Sequence, residues 1–281
     1  MYAYISNIRV RDWGAYIGMS LLGYLQIMNI TQWTSSGYLN FAAYLVTITF
    51  YLSFSFSINN CFDHEGDRLG SKVSRNPIAS DHIRVQGGVL FSVILALLGL
   101  IFSGFWFGAG PLSIYVLMLL LSGAYSIPPI RLKSVPFLDL VTHGLFFGSL
   151  IVLYGVTVTG GFTYASLPLF FSVFILSLIL ELRNQIDDVE EDIVTGVETT
   201  VVRIGSSRAN KLFYSLLAIH IGLLIYILNL IGSFAITVIS INFFVGFIVK
   251  FFMWRNRRGF QILIEIITPL VYFIFFTTSY V

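Results

Sequence analysis

The stretch NNCFDHEGD at residues 59–67 follows a long apolar run, and a second acidic stretch, DDVEED at 187–192, follows another. Each contains two aspartates spaced four residues apart, namely Asp63 with Asp67 and Asp188 with Asp192. On a helix this spacing places both carboxylates on one face, with Cβ atoms about 6 Å apart. Like charges that close, at the C-terminal end of a helix where the dipole disfavours anions, call for a compensating cation. The sequence therefore predicts two carboxylate pairs that bind a cation at the ends of apolar helices.

The composition is that of an integral membrane protein. Of the 281 residues, 57% are hydrophobic and only 11% are charged, whereas a soluble domain has about 25% charged residues. Apolar stretches of about 17–25 residues match the thickness of the hydrocarbon layer. We find nine such stretches, at 13–33, 38–58, 86–107, 110–126, 136–158, 163–182, 209–230, 232–253 and 260–279. We therefore predict an all-α polytopic membrane protein with nine transmembrane helices in one bundle, forming a single domain over residues 1–281.

The basic residues predict the orientation of this bundle. All 16 Lys and Arg residues fall before the first predicted span, or in or beside the connections after spans two, four, six and eight; Lys211 and Lys250 lie just inside the ends of spans seven and eight. Because cytoplasmic loops carry the excess of Lys and Arg, we expect a cytoplasmic N-terminus, an extracytoplasmic C-terminus and an active site at the cytoplasmic side. The net charge of +2 follows from this loop bias and fits contact with anionic membrane lipid rather than with nucleic acid. The sequence indicates no obligate protein partner.

The acidic stretches also predict an internal duplication. They follow the second and the sixth span, four helices apart, as expected of two four-helix repeats plus a ninth helix. Each lies in a long polar connection, predicted at 59–85 and 183–208. Connections this long are usually functional or disordered, and their mixed charge favours a lid over a polar cavity.

Three segments of the chain carry a resemblance to a known family. The stretches 59–67, AYSIPPIRLK at 124–133 and DVEEDIVTGVETT at 188–200 together resemble the UbiA-type superfamily of membrane prenyltransferases. That family's first motif, N-D-x-x-D-x-x-x-D, is matched by Asn59, Asp63 and Asp67. Its second motif, D-x-x-x-D followed by a Gly and a Thr, is matched by Asp188, Asp192, Gly196 and Thr199. Asn60 stands where the family usually has Asp, so we place it outside the predicted metal ligands.

The resemblance implies a role for each matched residue. The four aspartates would hold Mg²⁺, with Asn59 as a neutral oxygen ligand that also contacts substrate, and the metal would neutralise the diphosphate of an isoprenyl donor. Fixed cations would stabilise the negative charge that develops on the leaving diphosphate. Lys133 is therefore predicted to be catalytic together with the aspartates. The other candidates for substrate binding are the basic residues Lys72, Arg131, Arg9, Arg68 and Arg75, and Tyr125, which would orient a substrate. The four histidines have no metal-type spacing, and we expect His143 and His220 to be hydrogen-bonded within the bundle.

The function implied is Mg²⁺-dependent transfer of an isoprenyl chain from a polyprenyl diphosphate to a lipophilic acceptor, with release of diphosphate. An aromatic quinone precursor, a prenylated glycerol phosphate, a porphyrin alcohol and a carotenoid end all fit as acceptors. Two other classes stay open. An ion- or proton-coupled transporter would usually place its carboxylates near the membrane midplane. A non-catalytic lipid-binding membrane protein would pair its acidic residues structurally with Arg or Lys.

Overall fold

The computed structural model describes residues 2–25, 34–70, 72–161 and 167–229, and all regular secondary structure within these ranges is helical. The α-helices are α1 (Tyr2–Asn7), α2 (Gly14–Leu25), α3 (Ser35–Leu69), α4 (Val85–Phe107), α5 (Ala109–Ser126), α6 (Leu138–His143), α7 (Leu150–Val158), α8 (Leu167–Thr195), α9 (Thr200–Ile204) and α10 (Ser206–Asn229). Two short 3₁₀ turns lie at Val10–Asp12 and Leu132–Ser134, and a π-helical segment, Gly144–Ser149, joins α6 to α7. The predicted all-α class is confirmed for these residues.

Five of the described helices are long and apolar enough to cross a membrane: α3, α4, α5, the continuous helix Leu138–Val158, and α8. They correspond to the second to sixth predicted spans, so the prediction of an integral membrane protein is confirmed. The first predicted span corresponds to the shorter α2, and the seventh corresponds to α10. The eighth and ninth predicted spans lie outside the described residues. The count of nine helices therefore stays a prediction.

The predicted boundaries of the two long polar connections were wrong. Helix α3 continues to Leu69 and α8 continues to Thr195, so both acidic stretches are helical rather than parts of loops. The first charged residues after an apolar run predict the end of a membrane span. The helix itself can continue into water beyond that point. At about 1.5 Å per residue, the 35 residues of α3 span roughly 52 Å, well beyond a hydrocarbon layer of about 30 Å.

Helices α2 and α7 cross at two glycines. A Cβ atom at Gly23 would overlap the carbonyl of Val152, and one at Gly155 would overlap the backbone of Tyr24. Membrane helices associate without a strong hydrophobic driving force, so close backbone approach through small residues provides much of the packing contact. These glycines therefore fix the distance between α2 and α7.

Buried tyrosines join neighbouring helices in the interior. The Tyr44 hydroxyl donates to the Ser20 carbonyl at 2.7 Å, and the Tyr51 hydroxyl donates to the Phe146 carbonyl at 2.9 Å. The Tyr115 hydroxyl donates to the carbonyl of Thr47 at 3.1 Å. Because an unsatisfied polar group costs several kcal/mol in hydrocarbon, each hydroxyl needs such an acceptor. The bonds connect α2 to α3, α3 to the π-helical segment, and α5 to α3.

The two aspartate pairs belong to a longer sequence pattern that occurs in both halves of the chain. Asn59–Asn60 precedes the first pair with the spacing at which Asn184–Gln185 precedes the second. In addition, Arg9 (φ 53°) and Arg131 (φ 36°) each adopt a left-handed conformation and cap a 3₁₀ turn. Each is preceded by Ile and followed two positions later by a basic residue, as Ile8, Arg9 and Arg11 and as Ile130, Arg131 and Lys133. This pattern supports the predicted duplication.

Candidate active site

The polar ends of the two helices that carry the aspartate pairs lie against each other. A Cβ atom at Gly66 of α3 would lie 3.4 Å from Cγ2 of Thr195 on α8. A Cβ atom at Gly70, directly after α3, would overlap the carboxylate of Glu191. The lack of side chains at these two positions lets the ends of α3 and α8 approach. The two acidic stretches, 125 positions apart in the chain, therefore border one site.

In the first pair, Asp63 is compensated by cations and Asp67 by a neutral donor. Lys133 Nζ forms an ion pair with Asp63 Oδ1, and Arg131 Nη2 lies 3.4 Å from the same oxygen. The Asn76 amide donates to Asp67 Oδ2 at 2.8 Å. Asn76 follows α3 in the loop to α4, so this bond also holds the loop against the site.

The second pair is arranged in a similar way. Lys72 Nζ lies 2.8 Å from Asp188 Oδ2, and the Thr199 hydroxyl donates to Asp192 Oδ2 at 3.2 Å. Burial alone would lower the pKa of Lys72. The hydrogen bond and negative charge of Asp188, together with the charges of Glu191 and Asp67, raise this pKa above its ordinary value. Each pair thus has one aspartate bound to a lysine and one bound by a neutral side chain from the loop that follows it.

The two lysines connect the motifs electrostatically. Lys72 comes from the loop after α3 and contacts Asp188 on α8, while its charge also interacts with that of Asp67. Lys133 lies in the 3₁₀ turn before α6 and contacts Asp63 on α3. Its charge also interacts favourably with that of Asp192 on α8. Both aspartate pairs and both lysines therefore form one cluster, which we call the carboxylate–lysine cluster.

The remaining predicted site residues have partners around this cluster. Asn59 Oδ1, the predicted neutral ligand, accepts from the Ser126 hydroxyl at 3.1 Å. The Tyr125 hydroxyl donates to Glu181 Oε1 at 2.7 Å. Arg9 forms an ion pair with Asp12 at 2.6 Å, and its guanidinium carbon lies 5.2 Å from the centre of the Phe56 ring.

Arg68, Arg75 and Asn60 do not contact the four aspartates of the cluster. Arg68 pairs with Asp81 and donates to the Ala79 carbonyl, and Arg75 is exposed in the loop after α3. The buried amide of Asn60 donates to Asn7 on α1, to its carbonyl at 3.1 Å and to its side-chain oxygen at 3.0 Å. Placing Asn60 outside the ligand set is consistent with this geometry, because the amide joins two helices instead.

Two residues at the site, Glu181 and Asn76, were not identified from the sequence. Glu181 on α8 contacts Tyr125, His143 and Gln185. Glu181 falls inside the predicted span 163–182, and an ionisable side chain within a span is by itself a signal of function. His143 bonds to the Ser177 hydroxyl at 3.0 Å, as expected for a histidine within the bundle, but its neighbour Glu181 was missed. Asn76 lacks such a signal, because its role depends on how the loop after α3 folds back.

The sequence of this chain matches one known protein family. A model of the UbiA prenyltransferase family matches residues 19–262. The chain belongs to this family. The resemblance drawn from the paired motifs is therefore confirmed, and the match includes both of them.

Curated relatives of the chain have different named activities. A lycopene elongase/hydratase from Halobacterium salinarum is 28% identical over 174 residues, which cover 60% of this chain and 58% of that protein. A digeranylgeranylglyceryl phosphate synthase from Methanosarcina mazei is 28% identical over 189 residues, which cover 66% of this chain and 63% of that protein. The chain thus spans about three fifths of the length of these relatives.

The fold agrees with solved structures of UbiA homologues. A homologue from Archaeoglobus fulgidus bound to GPP and Mg²⁺ matches with a TM-score of 0.78 and 22% identity, covering 99% of this chain and 98% of that chain. At this identity the likeness shows the fold. The Mg²⁺ and prenyl diphosphate expected from the sequence are the ligands of that homologue.

The donors in the carboxylate–lysine cluster fit Mg²⁺. In the part of the chain that the structure describes, no three His, Cys, Asp or Glu side chains form a metal-binding group by themselves. Mg²⁺ commonly takes only one or two carboxylates and completes its shell with waters and substrate phosphates. Two carboxylate pairs facing one site, with two lysines beside them, match that pattern.

Proposed function

We propose that this protein transfers an isoprenyl chain from a polyprenyl diphosphate to a lipophilic acceptor and releases diphosphate in an Mg²⁺-dependent reaction. The observation that carries the proposal is the carboxylate–lysine cluster, in which aspartates from α3 and α8 share one site with Lys72 and Lys133. Family membership and the printed activities of the relatives support it.

The two lysines form ion pairs with one aspartate of each motif. Lys133 pairs with Asp63 and Lys72 pairs with Asp188. We propose that donor binding exchanges these partners, so that Lys72, Lys133 and Arg131 contact diphosphate oxygens while the aspartates and Asn59 hold Mg²⁺. Bound Mg²⁺ would supply further positive charge to the leaving group. Their ion pairs position both lysines beside the aspartates that would hold Mg²⁺, where their charge can reach the diphosphate.

Aromatic rings adjoin the imidazole of His143 and suit an allylic cation. The rings of Tyr16 and Phe147 stack with centroids 4.2 Å apart, and Phe56 stacks on Phe147 at 5.6 Å. Ring faces stabilise a positive charge within about 6 Å. We propose that these rings border the reacting end of the isoprenyl chain. The rest of the chain would lie along apolar helix faces.

The second candidate is a non-catalytic lipid-binding protein, which is favoured by one observation. Asp63 and Asp188 are each paired with a lysine, as that class requires. Asp67 and Asp192, however, receive neutral donors from Asn76 and Thr199. A purely structural ionic network would not need these two additional carboxylates. For the transporter class, the placement of all four aspartates near helix ends is unfavourable.

We further propose that the cluster lies at the cytoplasmic side, with the N-terminus cytoplasmic and the C-terminus extracytoplasmic. This orientation rests on the distribution of the 16 basic residues. The complete bundle would contain nine helices within one domain.

The direct test is transfer from a labelled donor. Purified protein is incubated with radiolabelled geranylgeranyl diphosphate, Mg²⁺ and, separately, homogentisate, geranylgeranylglyceryl phosphate or lycopene. We expect a prenylated product with at least one acceptor, release of diphosphate, and loss of both on addition of EDTA. Release that is insensitive to EDTA, or no transfer to any of the three, would refute the proposed function.

A further inference from the structure

We propose that Glu181 is the base that removes the proton from the acceptor. This inference rests on the proposed function. In the reaction the C–O bond of the donor breaks and its electron pair leaves with the diphosphate, while the isoprenyl C1 bonds to an acceptor oxygen or carbon. That acceptor atom, or the carbon next to the cation formed on an alkene, then loses one hydrogen as H⁺. A hydroxyl, an aromatic ring and a polyene all lose one proton, so a base beside C1 serves each of these acceptor classes.

Glu181 lies on the membrane side of the carboxylate–lysine cluster. It precedes Asp188 by seven residues on α8, which corresponds to two turns, about 10 Å along the axis and nearly the same face. The C1 atom of a prenyl donor is bonded directly to the diphosphate, and its apolar chain extends into the hydrocarbon. Glu181 is therefore displaced from the aspartates toward the region that the reacting carbon would occupy.

The contacts of Glu181 hold one oxygen and leave the other beside an imidazole. Oε1 accepts from the Tyr125 hydroxyl at 2.7 Å and from the Gln185 amide at 3.3 Å. Oε2 lies 3.5 Å from Nε2 of His143, whose Nδ1 is bonded to the Ser177 hydroxyl at 3.0 Å. A carboxylate fixed by one oxygen, with an adjacent imidazole that can share a proton, is an arrangement suited to general base catalysis.

The backbone next to His143 is a second, independent observation. The π-helical segment begins at Gly144, directly after His143, and such segments are frequent at functional sites. A Cβ atom at Gly144 would overlap Leu178, and one at Gly148 would lie 3.0 Å from Cβ of Ser177, so this segment packs tightly on α8. The irregular turn and its glycines thus bring the imidazole to the helix that carries Glu181.

The other acidic groups near this position have partners that occupy them. Asp139 of α6 accepts from the backbone and hydroxyl of Thr200 and from the Gln185 amide, so it fastens α9 to the bundle. The four aspartates of the cluster are bound by Lys133, Lys72, Asn76 and Thr199. The titratable groups that face Glu181 are Tyr16 of α2, Tyr125 of α5, Lys133 of the turn before α6, and Asp139 and His143 of α6.

A glutamine at this position would serve a structural role equally well. Its side-chain oxygen would still accept from Tyr125 and Gln185, whereas it could not take up a proton at working pH. A carboxylate with a side chain only 13% exposed is costly to bury without such a use. Glu181→Gln therefore separates the two roles.

The experiment compares Glu181→Gln with the parent and with Glu198→Gln, a matched change at an exposed glutamate. Binding of geranylgeranyl diphosphate with Mg²⁺ is measured first, and transfer is then measured with homogentisate, geranylgeranylglyceryl phosphate and lycopene. We expect donor affinity within twofold of the parent in both variants. Transfer should fall by about 10²-fold or more in Glu181→Gln and stay unchanged in Glu198→Gln.

Two further readouts distinguish a base from a structural residue. The pH dependence of transfer should differ between the parent and Glu181→Gln, because the variant lacks the ionisable carboxylate. Homogentisate deuterated on its ring should show a larger isotope effect in the variant, because deprotonation has become limiting. If Glu181→Gln does not fold, Glu181→Asp retains a carboxylate and should keep transfer at a reduced rate, with the pH dependence of the parent.

The outcomes separate this inference from the proposed function. Transfer by Glu181→Gln at the parent rate, or with the pH dependence of the parent, would overturn the role of Glu181 alone. Failure of the parent to bind donor with Mg²⁺, or to transfer to any of the three acceptors, would overturn the proposed function and this inference with it.

Discussion

Asp63 and Asp67 occupy one face of α3 but are stabilised by different partners. Asp63, whose side chain is 17% exposed, pairs with Lys133, which is 12% exposed, and with Arg131. Asp67 accepts instead from the neutral amide of Asn76. Their spacing predicted a like-charge pair that needs a cation, and that description is correct only in part. Without a metal, Asp63 already has cationic partners, supplied by a turn that no local pattern around residue 63 could reveal.

This difference predicts different stabilities in EDTA. Asp63→Asn should lower the free energy of unfolding by roughly 3 kcal/mol, because a mostly buried lysine loses its partner. Asp67→Asn should change it by less than about 1 kcal/mol, because the asparagine oxygen still accepts from Asn76. Thermal melts in detergent measure both changes. Equal melting temperatures for the two variants would contradict the pairing of Asp63 with Lys133.

Lys133 permits a second prediction at the residue scale. Lys133→Met should lower prenyl transfer by about 10²-fold, the loss typical of removing one preorganised electrostatic donor. Arg131 and the other basic residues preserve the charge bias of the loops, so membrane insertion should be unchanged. Lys211→Met, at an exposed lysine on α10, is the control and should transfer at the parent rate. Near-normal turnover of Lys133→Met would leave that lysine a role in topology only.

At the scale of elements, apolar length predicted the positions of most helices but not their ends. The second predicted span stopped at 58, yet α3 runs to Leu69, because a helix can extend past the bilayer wherever its residues favour helix. The π-helical segment Gly144–Ser149 has no signature in hydropathy. It depends on how Gly144 and Gly148 pack against α8, which is a tertiary property.

The crossing of α2 and α7 gives a prediction for packing. Gly23→Ala should lower the free energy of unfolding by about 1–3 kcal/mol, because its methyl group would overlap the Val152 carbonyl. Gly18→Ala lies on the same helix with no neighbouring atom within 4 Å and should be neutral or stabilising by up to about 1 kcal/mol. Thermal melts of the two variants provide the comparison. A loss of stability in Gly18→Ala as large as in Gly23→Ala would contradict the close crossing.

At the scale of the whole molecule, the paired aspartate motifs explain why the site could be predicted in outline. Two acidic stretches four helices apart indicated one shared site, and the ends of α3 and α8 do meet. The two halves of the sequence also share Asn59–Asn60 with Asn184–Gln185, and the Ile-Arg pair of each 3₁₀ turn. Asn76 and Thr199 could not be assigned roles, because their bonds to Asp67 and Asp192 depend on loops folding back on the helices.

The distribution of basic residues predicts the orientation of the whole chain. A reporter inserted in the loop after α3, near residues 73–75, should be cytoplasmic, and one fused after Val281 should be extracytoplasmic. Protease protection or reporter activity in intact cells measures each position. Finding both on the same side would contradict the predicted nine-helix topology.

The central claim is that the aspartates of α3 and α8 act together as one site for Mg²⁺ and diphosphate. The most direct measurement is the melting temperature of the parent, Asp67→Asn and Asp192→Asn as geranyl diphosphate is added with Mg²⁺ or with EDTA. Binding to the folded state alone stabilises by about 2.7 kcal/mol at a ligand concentration 100 times Kd. We predict that the parent is stabilised only when Mg²⁺ is present, and that either single substitution removes most of the gain. Equal stabilisation of the parent in EDTA, or a full gain in both variants, would contradict the claim.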